Sequence, residues 1–132
     1  RTRLAALACT APDRLALRLH LIGFSNGGKG LAGALDQLAA ADFTVDDRRV
    51  ALAEVVFADA NYGTGWLPAA WSAAERAGAR VVVLTRTGGG AGNRQRAARF
   101  RAAHPGPRLA IEALPLSHHG VGDAAIDAVQ VE

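Results

Sequence analysis

Short apolar runs alternate along this chain with Ala-rich stretches of helical composition, and that alternation limits the fold more than any other feature. Leu17, Leu19, Leu21 and Ile22 mark a first run, followed by a helical stretch from Gly30 to Ala41. After a polar break at Asp46 to Arg49, a second run centres on Val55-Val56-Phe57-Ala58 and ends at Asp59; Trp66 to Ala77 is helical in composition and Gly78 closes it. Arg80 to Leu84 is a third run, Thr85 to Asn93 a glycine-rich loop, and Arg94 to Ala103 a helix stopped by His104-Pro105-Gly106-Pro107. Arg108 to Leu114 is a fourth run, and Asp123 to Val129 can close the chain as a last helix, while Leu4 to Cys9 reads as the end of an earlier one. Strands this short and this apolar are buried on both faces, which predicts an α/β class: a parallel sheet of about four strands with helices on both faces. The 132 residues have the length of one domain, with 50% hydrophobic residues to fill a core.

Composition removes several function classes. No run reaches the roughly 18 consecutive apolar residues of a membrane span. Cys9 is the only cysteine, so an intrachain disulfide and a multi-thiolate metal site are excluded, and it reads as a small buried hydrophobe. The formal charge of +3 comes mostly from dispersed arginines, Lys29 being the only lysine. Arg94, Arg96, Arg99 and Arg101 form the densest cluster and read as a solvated helix face, so nucleic acid is not the expected partner. His118 and His119 lack further ligands at metal-binding spacing, and no cofactor motif is complete. His20, within the first run, and His104, before a proline, read as structural; Trp66 and Trp71, five apart, do not share a helix face and read as core or pocket wall.

Two motifs overlap in one turn. Gly23-Phe24-Ser25-Asn26-Gly27-Gly28 follows the first run and precedes a helix, the arrangement of a G-x-S-x-G nucleophile elbow in which Gly23, Gly27 and Gly28 clear space around a sharp turn. Gly23-x-x-x-x-Gly28-Lys29 also reads as a P-loop until Gly30 stands where Ser or Thr would bind magnesium. In parallel sheets, ligands bind beyond the carboxyl ends of the strands. Ser25, Asp59, the Gly88-Gly89-Gly90 loop and the paired histidines all fall there.

A serine hydroxyl needs a histidine to take its proton and a carboxylate to orient that histidine. Ser25, Asp59 and His118 or His119 occur in the order nucleophile, acid, base. In that order, and in the stretches Val56-Phe57-Ala58-Asp59-Ala60-Asn61-Tyr62-Gly63, Gly88-Gly89-Gly90 and Ser117-His118-His119, the chain resembles the C-terminal half of an α/β-hydrolase of bacterial type. The resemblance covers nearly the whole chain at the level of motifs. It implies a serine hydrolase acting on an ester or amide, with an esterase-, lipase- or amidase-like acyl or small-molecule substrate, no cofactor, Asn26 N–H as an oxyanion donor, and His118, followed by Val121, ahead of His119 as the base. It also implies strands before the elbow, so the 132 residues are expected to be a fragment of the fold whose N-terminal part is its partner. The family usually carries its acid after the strand corresponding to Arg80 to Leu84, where Thr85-Arg86-Thr87-Gly88 has no carboxylate, so Asp59 has to serve from the strand before. Two other classes stay open: a P-loop-like nucleotide-binding protein with Asp59 as the magnesium acid, and a catalytically silent α/β interaction module.

Overall fold

A computed structural model describes residues 17–40, 44–45, 48–60, 65–88 and 91–129. The expected helix end at Leu4 to Cys9, Asn61 to Gly63 and Gly89 to Gly90 lie outside them. In chain order the elements are β1 (Leu17–Phe24), α1 (Asn26–Ala40), β2 (Thr44–Val45), β3 (Arg48–Ala58) and α2 (Leu67–Ala77), then β4 (Arg80–Arg86), α3 (Ala91–Ala103), β5 (Leu109–Leu114) and α4 (His118–Asp127).

Four strands pair in parallel in the order β1-β3-β4-β5, as the alternating pattern predicts. The short β2 runs antiparallel to the start of β3, a pairing that its two residues do not announce. Side chains of the central strands alternate between two cores. Val55, Phe57, Val81, Val83 and Leu109 pack with Leu35 of α1 and Leu67, Ala70, Ala73 and Ala74 of α2, and Phe100 of α3 joins them. Val56, Ala58, Val82 and Leu84 face the other way, onto Val121 and Ala125 of α4. Three connections advance across the sheet in one direction, and a common handedness puts α1, α2 and α3 on one face. The helix after the last strand covers the opposite one. Helix α2 ends as its sequence suggests: Gly78 takes φ 72°, and Gly78 N and Ala79 N donate to Glu75 O and Ala74 O.

Element boundaries move where glycine misleads. Helix α1 starts at Asn26, four residues before Gly30, although glycines weaken a helix locally. Packing explains the difference. A Cβ on Gly23 would lie 2.6 Å from Gly28 Cα, and one on Gly28 would lie 2.4 Å from Ala60 Cβ. The helix therefore begins against the strand it leaves, at a separation that only hydrogen atoms permit. Gly27, also expected to clear this space, has nothing within 4 Å among the described residues. Its side of the turn points outward, so the close approach belongs to Gly23 and Gly28.

Denaturant unfolding separates these positions. Gly28→Ala is expected to destabilise the fold by about 1–3 kcal/mol through overpacking, whereas Gly27→Ala should be neutral or slightly stabilising in a helix. Equal losses at the two positions would contradict the close contact.

Candidate active site

The carboxyl edge of the sheet is built by backbone first. Phe24 pairs with Ala58 at the end of the β1–β3 ladder, and Ser25 N then donates to Ala58 O at 2.9 Å. One strand over, Asp59 N donates to Leu84 O at 2.8 Å. Each ladder thus runs one bond past its strand, and at that point the chain turns sharply: Ser25 has φ 53° and Asp59 has φ 43°. Left-handed backbone is unfavourable for residues with a Cβ, less so for Asp than for most. Both exceptions among the described residues sit side by side at the edge where an α/β sheet carries its ligands.

Ser25 is not an ordinary helix cap. A capping serine keeps extended backbone while its hydroxyl accepts from the first turn. Ser117 does so before α4, with φ −67°, ψ 170° and Gly120 N donating to its Oγ at 3.1 Å. Ser25 instead has left-handed backbone, and its backbone oxygen accepts from Gly28 N at 3.1 Å. Asn26 is the first residue of α1, so its N–H belongs to the first-turn donors that a helix leaves without an intrahelical acceptor.

The Ser117 cap also starts α4 at His118, five residues ahead of the Asp123 start that composition suggests. That placement brings His118 over the sheet edge, where its Nδ1 donates to Asp59 Oδ2 at 2.6 Å. The imidazole lies against Phe24, with ring centroids 4.5 Å apart. Phe24 in turn needs Gly122, where a Cβ would come within 3.1 Å of its ring. His119 takes a different direction. It is exposed and lines a shallow apolar groove with Ile22, Phe24, Gly122 and Ile126, so among the described residues His118 is the histidine bonded to Asp59.

Asp59 is the buried centre of the cluster, its side chain 1% exposed. A carboxylate out of water must be hydrogen-bonded and balanced by charge. Besides His118, the guanidinium of Arg86 at the end of β4 reaches it, Nε lying 2.6 Å from the same Oδ2. Arg86 was no sequence candidate: a cation ending a strand has the look of a solvated residue, and its partner is 27 positions earlier. Gly122 carries no site signal in the sequence, and Phe24 and Ser117 enter it only as members of the quoted motifs, with no role of their own. Of these, Ser117 ahead of the apolar Val121 carries a readable cap signal.

Other sequence candidates lie apart from this cluster. His104 Nδ1 donates to Phe100 O at 3.0 Å and its ring stacks on Phe100, closing the end of α3. His20 faces the buried Glu54, whose other oxygen accepts from Arg80 at 2.9 Å. Trp66 packs on Phe57 and Trp71 meets the edge of His104, so the two tryptophans serve different parts of the structure. Arg94 and Arg101 of the basic cluster donate to the carbonyls of Thr87 and His104, and Arg96 and Arg99 are exposed. Among the described residues no helix is long and apolar enough to cross a membrane, and no three His, Cys, Asp or Glu side chains gather as a metal site.

Compared with known protein families, curated proteins and solved structures, the chain matches none.

The backbone at the serine turn has its own test. Comparing Ser25→Gly with Ser25→Ala removes the hydroxyl in both and relieves left-handed strain only in the first, so the glycine variant should be more stable by about 1 kcal/mol. An alanine variant as stable as the glycine one would mean that the turn is relaxed.

Proposed function

We propose that the protein is a serine hydrolase of the α/β-hydrolase type, cleaving an ester or amide through an acyl-enzyme on Ser25. The observation that carries this reading is the 2.6 Å contact between His118 Nδ1 and the buried Asp59 carboxylate, just past the end of β3, the strand beside the one that Ser25 follows. With Nδ1 donating to Asp59, the lone pair of the neutral imidazole is on Nε2. That nitrogen is the proton acceptor a serine nucleophile requires.

In the proposed reaction Ser25 Oγ attacks the substrate carbonyl as His118 Nε2 takes its proton, and Asp59 holds the ring and balances the imidazolium that forms. Asn26 N–H binds part of the oxyanion from the start of α1. The imidazolium protonates the leaving alcohol or amine, and water then attacks the acyl-enzyme with His118 again as base, returning Ser25. No cofactor enters this sequence. The left-handed turn at Ser25 and the glycine contact beneath it support the assignment, since an elbow needs both. The order nucleophile, acid, base and the sheet order β1-β3-β4-β5 support reading the chain as the C-terminal half of that fold, with further strands as the partner on the β1 side.

The P-loop alternative has less support. A phosphate cradle uses consecutive loop N–H groups between strand and helix, and here Gly27 to Lys29 are already helical. Asp59, its magnesium acid, has one oxygen held between His118 and Arg86.

Labelling with a fluorophosphonate probe tests the proposal. Ser25 should be modified, the modification should vanish in Ser25→Ala, and His118→Ala should lower turnover of an activated ester by about a thousandfold or more. A folded sample that takes up no label is a catalytically silent module or a nucleotide binder, and retention on an ATP or GTP resin lost in Lys29→Ala would select the second.

A further inference from the structure

Arg86 gives the site a fourth member, and a charged one. Its Nε and His118 Nδ1 both lie 2.6 Å from Asp59 Oδ2. The Nε–H is not directed along that contact, so Arg86 acts on the carboxylate as a charge and not through an aligned hydrogen bond. The carboxylate is out of solvent, and the Arg86 side chain is 40% exposed although its Nε is buried against it.

A buried carboxylate is stabilised by a nearby positive charge as well as by hydrogen-bond donors. Neutral imidazole supplies no such charge, yet a base that is to accept the serine proton has to start neutral. We infer that Arg86 is a positioning residue for the Ser25–His118–Asp59 site: it balances Asp59 while His118 is neutral, and so keeps the imidazole free of a proton before the serine gives one up. The catalytic consequence rests on the hydrolase reading; the charge coupling between Arg86, Asp59 and His118 does not.

The surroundings of His118 fix the sign. From β1 it meets the uncharged Phe24 ring, from β3 Asp59, and from β4, across Asp59, Arg86. Its own helix presents His119, with ring centroids 5.6 Å apart, and Asp123 one turn on beside the same groove. The first-turn N–H groups of α4 also disfavour a cation at His118, and they persist in any side-chain variant. Removing Arg86 therefore deletes one positive charge beside the carboxylate that His118 contacts. That change favours imidazolium.

The measurement is the pH titration of the His118 ring, followed by NMR on isotope-labelled protein and assigned with His118→Ala. In Arg86→Met and Arg86→Gln it should move to higher pH by about one unit or more, and Arg86→Lys should restore most of the wild-type position. The acid limb of kcat/KM for an activated ester should move with it. Should Arg86→Met fail to fold, Arg86→Gln, which keeps a polar amide without the charge, carries the test. An unmoved or lowered titration in a folded neutral variant overturns the inference, as does a lysine variant that behaves like glutamine. If the titration moves while wild-type Ser25 resists fluorophosphonate, the coupling stands and the hydrolase reading fails. If Ser25 is labelled and the titration stays, the positioning role fails alone.

Discussion

Where β1 gives way to α1, the absence of two side chains sets the geometry of everything downstream. Gly23 and Gly28 touch backbone to backbone, and Gly28 also lies against Ala60, just beyond Asp59. Because the helix can start one residue after the strand, Ser25 has no loop in which to relax, and its φ becomes positive. The same contact fixes the carboxyl end of β3 relative to α1, since a larger residue at 28 would push against Ala60. One steric allowance thus places both the serine and the carboxylate. The hydrogen bonds from Ser25 N to Ala58 O and from Asp59 N to Leu84 O then hold these turns to the ends of the parallel ladders.

Electrostatics completes what the backbone begins. Asp59 ends the strand between β1 and β4, so burial by both neighbours is unavoidable. A charge in that position is tolerable only if cations or donors reach it. Arg86 comes from β4 and His118 from the capped start of α4, and together they tie three elements to one oxygen. The proposed catalytic groups and the structural support are therefore hard to separate here. The ion pair and the histidine bond each hold the carboxylate for the other, and the hydroxyl of Ser117 and the ring of Phe24 hold the histidine.

Legibility in the sequence followed the range of the interactions. The parallel sheet was readable because Val55 to Ala58 and Val81 to Leu84 are apolar on both faces, a local signal. Gly78 ended α2 as expected because a left-handed cap is also local. Boundaries failed where tertiary contact outweighed propensity: Gly27, Gly28 and Gly30 argue against a helix, yet α1 contains them because its first turn packs on β1 and β3. Ser25, Asp59 and His118 stood out through chain order and position after strands. Choosing His118 over His119 rested on resemblance, whereas the structure separates them by cap geometry, since a helix beginning at residue 118 sends adjacent side chains about 100° apart. Arg86 was hidden because its role depends on which strand lies beside β4, and no local pattern encodes that.

The central claim is that Ser25 forms a covalent bond to the acyl group of a substrate. Brief reaction with an activated ester, acid quenching and peptide mass spectrometry measure it directly. The expected result is one acyl group on the peptide carrying Ser25, accumulating faster in His118 protein than in His118→Ala and absent from Ser25→Ala. Hydrolysis of the ester with no acyl group on Ser25, or undiminished turnover in Ser25→Ala, would contradict it.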